Sequence, residues 1–407
     1  MHRRFRYALM AVVLALPLAA GDIRVIQKSN VKPVGPYSPG VLAGEFLYVS
    51  GQGALNAEGK FAATVEEQTR DTLNNVKSVV EAAGLTMRHV VFTQLYLTDA
   101  ADYARVNKVW TEFFPDHPPA RSTIGVRRMP KATPVEITAV AARDLARVKR
   151  IVPPGYPPNA PVTPGVLVGE RLYLSGFLGR DIGTGRIPED PAAQVQLALD
   201  RMRETLAAAG LDFRHLVFVN PYLTREIPME VMNQVYARHF ELGNAPARAT
   251  IAVHSLPNGA HVEFAGVAIV DLAKRRVIRP RNMAPSATSS PCVFAGDTLF
   301  CSAKSGFIPG PFAGIYASTV EHQVRQTMRN LLDGLEEGGL SFGNVVSTNV
   351  YLDEIGEFDK MNGVYAQYFR DVKPTRTTVQ PAAPVARVAD DEQRWPKLEE
   401  ISLVAVK

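Results

Sequence analysis

The sequence of 407 residues lacks the glycine patterns of nucleotide-binding loops, both the Walker type and the dinucleotide type. Its eight histidines show no metal-ligand spacing, so no metal site is predicted. Tyrosine and the two tryptophans are not interleaved with basic clusters, which argues against RNA binding. Neither Ser50 nor Ser175 lies in a G-x-S-x-G elbow, so a serine hydrolase has little support.

The net charge is also small, and long apolar runs are few. The formal charge is +5, and without Arg3, Arg4 and Arg6 the balance is 42 basic against 40 acidic residues. This balance is too even to predict a nucleic-acid partner. The N-terminal apolar run, residues 8–20, is shorter than the about 20 residues that cross a bilayer, so no stable membrane span is expected.

The N-terminus has the pattern of a secretory signal peptide. A basic start, a short apolar segment and small residues at positions 19–21 predict a leader over residues 1–21. No cysteine follows the small residues, so a lipid anchor is not indicated. We expect an exported protein, periplasmic or secreted. The alternatives are an uncleaved anchor, or a cytoplasmic protein whose start is misassigned.

There are only two cysteines, Cys292 and Cys301. Gly296-Asp297 between them predicts a two-residue hairpin turn, which pairs the two cysteines at a non-hydrogen-bonded position. Side chains approach closely there, and export would permit oxidation. The two interpretations are a cross-strand disulfide and two buried free thiols.

What the sequence does contain is a threefold internal repeat. Residues 41–51, 166–176 and 293–303 each predict a hairpin, and each is followed by a helix, a strand, a second helix and two strands. Capping-box spacings, such as Ser318 with Glu321, mark helix starts. The predicted class is α+β, with the order ββαβαββ and room for one more short strand. The expected domains are residues 22–149, 150–276 and 277–407, packed together as a pseudo-trimer within one monomeric chain.

One motif recurs in all three repeats: an arginine after proline, at the start of a strand, with a glutamate in the next strand. The pairs are Arg121 with Glu136, Arg248 with Glu263, and Arg376 with Glu400. A guanidinium can hold a carboxylate through two hydrogen bonds, so the motif predicts carboxylate binding. A structural cross-strand pair of arginine and glutamate would give the same pattern.

Six segments of the first repeat form a recognisable series: residues 35–38, 49–52, 67–69, 106–107, 119–122 and 135–137. In this order they resemble the RidA (YjgF-like) family, once labelled as endoribonucleases. The resemblance covers nearly all of each repeat and is weakest in the third. It implies a chorismate-mutase-like fold, usually a homotrimer with ligand clefts between subunits. It also implies hydrolysis of 2-imino acids and their enamine tautomers to 2-keto acids and ammonia, without a cofactor.

The resemblance assigns roles residue by residue. The arginine binds the substrate carboxylate, the glutamate helps to place the attacking water, and the tyrosine and Ser-Gly segments line the cleft. The catalytic residues it implies are Arg121, Glu136, Arg248, Glu263, Arg376 and Glu400. The substrate-binding residues it implies are Tyr37, Ser50, Gly51, Asn107, Thr123, Ser175, Gly176, Asn233 and Asn362, with Ser302 in the third repeat. The asparagines are equally able to hold a loop in place.

Several positions depart from the family pattern. Val162 and Ser289 stand where Tyr37 stands in the first repeat, and Ala303 replaces the glycine of the Ser-Gly pair. Threonine occupies the position where many members carry cysteine, which excludes thiol chemistry. We therefore expect unequal clefts, of which one or two are inactive. The alternative function is a non-catalytic module that binds small 2-imino or 2-keto carboxylates or a protein, and ribonuclease activity is the weakest hypothesis.

Overall fold

A computed structural model of the protein describes residues 23–27, 29–30, 32–158, 160–281, 283–310, 314–392 and 394–407. The predicted signal peptide lies outside these residues and stays a prediction. Within the described residues, no helix is both long and apolar enough to span a membrane.

Each repeat forms one mixed sheet with two helices. The first contains β1 (Arg24–Ile26), β2 (Gly40–Ala43), β3 (Phe46–Gly53), α1 (Val65–Ala82), β4 (Val90–Leu97), α2 (Tyr103–Phe113), β5 (Ala120–Gly125) and β6 (Val135–Ala142). The second contains β7 (Val148–Ile151), β8 (Gly165–Val168), β9 (Arg171–Leu178), α3 (Pro191–Ala208), β10 (Leu216–Leu223), α4 (Met229–Ala237), β11 (Ala247–Arg248), β12 (Ile251–Ala252) and β13 (Val262–Ile269). The third contains β14 (Arg275–Ile278), β15 (Cys292–Ala295), β16 (Thr298–Lys304), α5 (Val320–Glu337), β17 (Val345–Leu352), α6 (Phe358–Tyr365), β18 (Thr375–Val379) and β19 (Glu399–Val406).

The three sheets share one topology. The strand order in the first sheet is β1-β2-β3-β6-β4-β5, and the other two sheets repeat it. The arginine-bearing strand lies at one edge, parallel to its neighbour; β12 is also parallel to β10, and the other pairs are antiparallel. The predicted α+β class and repeated order are confirmed, and the additional short strand begins each unit.

Helix starts follow the local capping chemistry. Thr64 and Glu67 form a reciprocal capping box at α1, and Asp190 caps α3 with Pro191 in the first turn. The prediction for α5 was wrong by one residue. Its N-cap is Thr319, whose hydroxyl accepts the backbone N–H of His322.

Both helices of a repeat cover the same face of its sheet, and each repeat has its own core there. The opposite faces of the three sheets pack against one another in a shared apolar cluster. Phe46 of the first repeat meets Tyr173 of the second at 5.6 Å, and Phe218 meets Phe300 of the third at 6.0 Å between ring centroids. Burial of these faces holds the repeats together as the predicted pseudo-trimer.

The shared core is not symmetric in its residues. Equivalent positions at the start of the third strand hold Phe46, Arg171 and Thr298. The buried Arg171 guanidinium lies 4.6 Å from the Phe46 ring, and its Nη2 donates to Thr298 Oγ1 at 2.6 Å. Three copies of Arg171 could not satisfy each other in this way, so the repeats are not interchangeable.

The cysteine-bearing hairpin has the predicted register, with Cys292 opposite Cys301 and Ala295 opposite Thr298. The two cysteines form a disulfide in the structure, with Cα atoms 4.0 Å apart. It packs against α5 at Gly334, where a Cβ would lie 2.7 Å from Cys292 Sγ. This close approach explains a glycine inside a helix.

Candidate active sites between the repeats

One serine hydroxyl joins each repeat to the repeat before it. In all three places the hydroxyl accepts the backbone N–H of an arginine from the preceding repeat and donates to a carbonyl of its own repeat. Ser175 Oγ joins Arg121 (2.9 Å) to Thr163, Ser302 Oγ joins Arg248 (2.8 Å) to Ser290, and Ser50 Oγ joins Arg376 (2.8 Å) to Ser38. Each arginine therefore faces the next repeat in cyclic order. The hydroxyls of Ser50 and Ser175, predicted to line the cleft, are occupied by this joint.

The first cleft combines Arg121 with Glu263 of the second repeat. Ser122 Oγ and the Thr123 backbone N–H both donate to Glu263 Oε1, the latter at 3.3 Å. Burial raises the pKa of Glu263 to about 7, although these bonds and the charge of Arg121 oppose the shift. A Cβ at Gly176 would overlap the Glu263 carboxylate, so this glycine leaves the space that the carboxylate fills.

The Arg121 guanidinium is buried and partly satisfied. Its Nη2 donates to Asn107 Oδ1 at 2.6 Å, and it lies 4.4 Å from the Trp110 ring. Nε and Nη1 have no hydrogen-bond partner in the described part of the chain. Burial raises the pKa of the nearby Tyr156 to about 12, although the positive charge of Arg121 acts to lower that pKa. Free, buried N–H groups of this kind are suited to a carboxylate.

The second cleft combines Arg376 of the third repeat with Glu136 of the first. Thr377 Oγ1 donates to Glu136 Oε1 at 2.5 Å. Burial raises the pKa of Glu136 to about 7, against the opposing effects of the Thr377 hydrogen bond and of Arg376. As in the first cleft, a Cβ at the Ser-Gly glycine, here Gly51, would overlap the carboxylate.

Arg376 lies in an aromatic enclosure. Its guanidinium carbon is 5.2 Å from the Tyr37 ring, 5.4 Å from Phe358 and 4.9 Å from Tyr365. A Cβ at Gly35 would lie 2.6 Å from Nη2, so only glycine lets the backbone approach there. The buried Nη2 has no hydrogen-bond partner among the described residues.

Asn362 differs from its two equivalents. Asn107 and Asn233 each accept a hydrogen bond from the arginine of their own repeat, whereas the buried Asn362 Oδ1 has no partner in the described structure. A cavity of about 70 Å³ lies at this cleft and is lined by Tyr37, Gly51, Glu136 and Arg376, among others. This cleft thus has a cavity, a guanidinium with a free N–H and a glutamate that can exchange protons near neutral pH.

The third cleft, at Arg248, has no glutamate bonded beside the arginine in the described residues. Glu400 lies opposite Tyr351, the register position that Glu136 has opposite Tyr96, but its carboxylate is ion-paired with Lys397. Two neighbouring differences accompany this. Ala249 replaces the hydroxyl residue that holds the glutamate in the other clefts, and Ala303 replaces the glycine that makes room for it.

Arg248 itself donates from Nη1 to Asn233 Oδ1 at 2.8 Å and lies 5.2 Å from the Tyr236 ring. Lys304 occupies the position that Gln52 has in the first repeat, and burial lowers the pKa of its ammonium group. This cleft therefore carries an additional lysine in place of glutamine and lacks the bonded glutamate of the other two.

Sequence reasoning named the arginines and glutamates but missed the hydroxyl residues that hold the glutamates, Ser122 and Thr377. A signal was available: the residue after the arginine carries a hydroxyl in the first and third repeats and is alanine in the second. Thr123 contributes its backbone N–H, while the buried hydroxyls of Thr250 and Thr378 have no partner in the described structure.

Comparison with known proteins matches the three repeats to one family. The sequence profile described as endoribonuclease L-PSP matches residues 27–143, 156–270 and 280–390. The chain belongs to the endoribonuclease L-PSP family. It contains three L-PSP domains, and the RidA (YjgF-like) resemblance and its chorismate-mutase-like fold are confirmed.

Individual L-PSP relatives match one third of the chain. The 2-iminobutanoate/2-iminopropanoate deaminase of Escherichia coli K12 is 42% identical over 114 residues, which cover 27% of this chain and 89% of that protein. A RutC family protein of Saccharolobus solfataricus is also 42% identical over 114 residues, 28% of this chain and 90% of that protein. The crystal structure of the Escherichia coli YjgF gene product is 40% identical and covers 30% of this chain and 99% of that chain, with a TM-score of 0.29.

Proposed function

We propose that the protein is a deaminase that hydrolyses small 2-imino acids to 2-keto acids and ammonia. The observation that carries the proposal is the Arg376–Glu136 cavity. There a buried guanidinium N–H that has no partner among the described residues and a glutamate of pKa about 7 line the same space. The name of the Escherichia coli relative, 2-iminobutanoate/2-iminopropanoate deaminase, supports the same reaction.

The arginine supplies substrate binding. A 2-imino acid carries its carboxylate next to the imine carbon, so anchoring the carboxylate on Arg376 fixes where that carbon lies. Hydrogen bonds to charged groups contribute about 1.5–3 kcal/mol each, enough to prefer 2-imino acids over simple imines. The rings of Tyr37, Phe358 and Tyr365 hold the guanidinium in place and limit its contact with water.

The glutamate supplies proton transfer. Ionised Glu136 takes a proton from water as the water oxygen bonds to the carbon of the N-protonated imine. The product is a carbinolamine. The proton then passes to the amine nitrogen, the C–N bond breaks with its electron pair on nitrogen, and the hydroxyl proton joins the departing ammonia. One iminium and one water become one 2-keto acid and one ammonium. A pKa near 7 suits both transfers at neutral pH.

Arg121 and Glu263 have the same relationship across the first cleft, and we assign them the same roles. The Arg248 cleft differs, because its glutamate is ion-paired with Lys397. This observation favours a second function there: binding of a small carboxylate without turnover.

The proposal is tested with an imine generated in place by an amino-acid oxidase in the presence of semicarbazide, which traps the imine as a semicarbazone. An active deaminase removes the imine and slows semicarbazone formation. We expect the wild-type protein to slow it, and a variant with both Arg121→Ala and Arg376→Ala to have no effect. Equal rates with and without wild-type protein would reject the proposal.

A further inference from the structure

The Arg376–Glu136 cavity has a basic rim. Lys32 and Lys131 line it, and both side chains are exposed, which places them at its solvent end. Lys131 also lines an adjoining cavity of about 410 Å³, where Arg127 and Arg128 add two further basic residues and Asp359 one acidic residue. Neither Lys32 nor Lys131 is ion-paired with a carboxylate in the part of the chain that the structure describes.

The backbone at Lys131 is strained. Lys131 and Ala132 both have φ of 58°, in the left-handed region that residues with a Cβ avoid. The equivalent loop of the second repeat places Asn258 and Gly259 there, which tolerate this conformation better. Backbone strain of this kind is often found at functional sites, and here it lies on the rim of a cavity that Lys131 lines.

The Arg121–Glu263 cleft provides an internal comparison. Its arginine, glutamate and Ser-Gly segment match those of the Arg376–Glu136 cleft. Its rim does not: Asn258 stands at the position of Lys131, and Pro157 at the position of Lys32. The two clefts therefore share their chemistry and differ in the charge at the mouth.

A ligand that fills this cavity should carry negative charge that complements the basic rim. Arg376, Lys32 and Lys131 line the inner cavity, and Glu136 is the one acidic residue among its described lining, so a single substrate carboxylate still leaves an excess of positive charge. We propose that this cleft takes 2-imino dicarboxylates, with Arg376 on the carboxylate beside the imine and Lys131 and Lys32 on the distal carboxylate. This inference rests on the proposed deaminase function and names its substrate class in one cleft.

Two single-cleft proteins test the inference. Arg121→Ala leaves the Arg376–Glu136 cleft, and Arg376→Ala leaves the Arg121–Glu263 cleft. In each, kcat/KM is measured for a 2-imino dicarboxylate, made from glutamate by an oxidase, and for 2-iminopropanoate, made from alanine. We expect the ratio of dicarboxylate to monocarboxylate to be higher in Arg121→Ala. Adding Lys32→Gln with Lys131→Gln should lower that ratio roughly tenfold, because each exposed ion pair contributes up to about a fivefold effect.

The matched control is Lys149→Gln, an exposed lysine on β7, which should leave the ratio as it is. Equal ratios in the two single-cleft proteins, or a ratio that the lysine replacements do not change, would overturn the inference. If neither the wild-type protein nor any variant hydrolyses an imine, the deaminase proposal has failed. The inference about the ligand class is then tested by calorimetry. Tighter binding of 2-ketoglutarate than of pyruvate, lost with both lysines, supports it; equal binding overturns it.

Discussion

Gly51 and Glu136 occupy adjoining space so tightly that a Cβ on the glycine would overlap the carboxylate. The same relationship joins Gly176 to Glu263. Where the chain has Ala303 instead of glycine, Glu400 is ion-paired with Lys397 and has no bond to the arginine strand in the described residues. The glycine of the Ser-Gly pair therefore leaves the space in which the glutamate carboxylate is placed.

Replacing Gly51 by alanine should displace Glu136 from the Arg376 cleft. In an Arg121→Ala background, where only this cleft operates, we expect kcat/KM for 2-iminopropanoate to fall about a hundredfold, the size of a lost general base. Ala303→Gly in the same background is the control, because the Arg248 cleft lacks the bonded glutamate. Retention of activity in Gly51→Ala would contradict the assigned role of Glu136.

The activity should depend on pH through the glutamate. Burial raises the pKa of Glu136 to about 7, and the ionised form is the one that takes a proton from water. In the Arg121→Ala protein, kcat/KM corrected for the uncatalysed rate should rise with pH up to about 7 and then level off. Glu136→Gln should abolish this rise, and a rising limb that survives the replacement would assign it to another group.

The stability of the fold should fall as pH rises, whereas the activity should rise. Burial raises the pKa of Glu136 and of Glu263 to about 7, from an ordinary value of 4.5, so the folded state binds more protons than the unfolded state between those values. The free energy of unfolding should therefore fall as pH rises from 4.5 to 7, by about 1.4 kcal/mol per pH unit for each group. Urea unfolding at several pH values measures this slope.

The double replacement Glu136→Gln with Glu263→Gln should make the slope shallower, whereas replacing the exposed Glu58 by glutamine should not. Burial also raises the pKa of Glu399, to about 8, so some slope should persist up to that pH. A slope unchanged by the double replacement would show that these two carboxyls do not hold extra protons in the folded state.

Two helix glycines should respond oppositely to alanine. Gly334 in α5 lies against the disulfide, and Gly363 in α6 has open space beside it. Alanine at 363 should stabilise the protein by up to about 1 kcal/mol through helix propensity. Alanine at 334 should destabilise it by about 1–3 kcal/mol, because the added methyl meets Cys292 Sγ. Thermal unfolding of both variants checks this, and stabilisation by Gly334→Ala would contradict the packing described.

Much of the fold followed from local pattern. The hairpin about Gly296-Asp297, the order of elements and the arginine and glutamate positions are set by short-range periodicity and turn chemistry. The composition of the clefts was not predictable in this way. Arg376 bonds to Ser50 across 326 residues of sequence, and nothing local indicates which repeats meet. Likewise, Glu400 pairs with Lys397 where Ala249, just after β11, and Ala303, on β16, replace the residues that place the glutamate in the other clefts.

The central claim is that each active cleft takes its arginine from one repeat and its glutamate from the next. Four double variants test it: Arg376→Ala with Glu136→Gln, Arg121→Ala with Glu263→Gln, and the two crossed combinations. Circular dichroism and thermal unfolding confirm that each variant is folded. We expect the first two to keep one working cleft and to hydrolyse 2-iminopropanoate, and both crossed variants to be inactive. Crossed variants as active as the matched ones would contradict the claim.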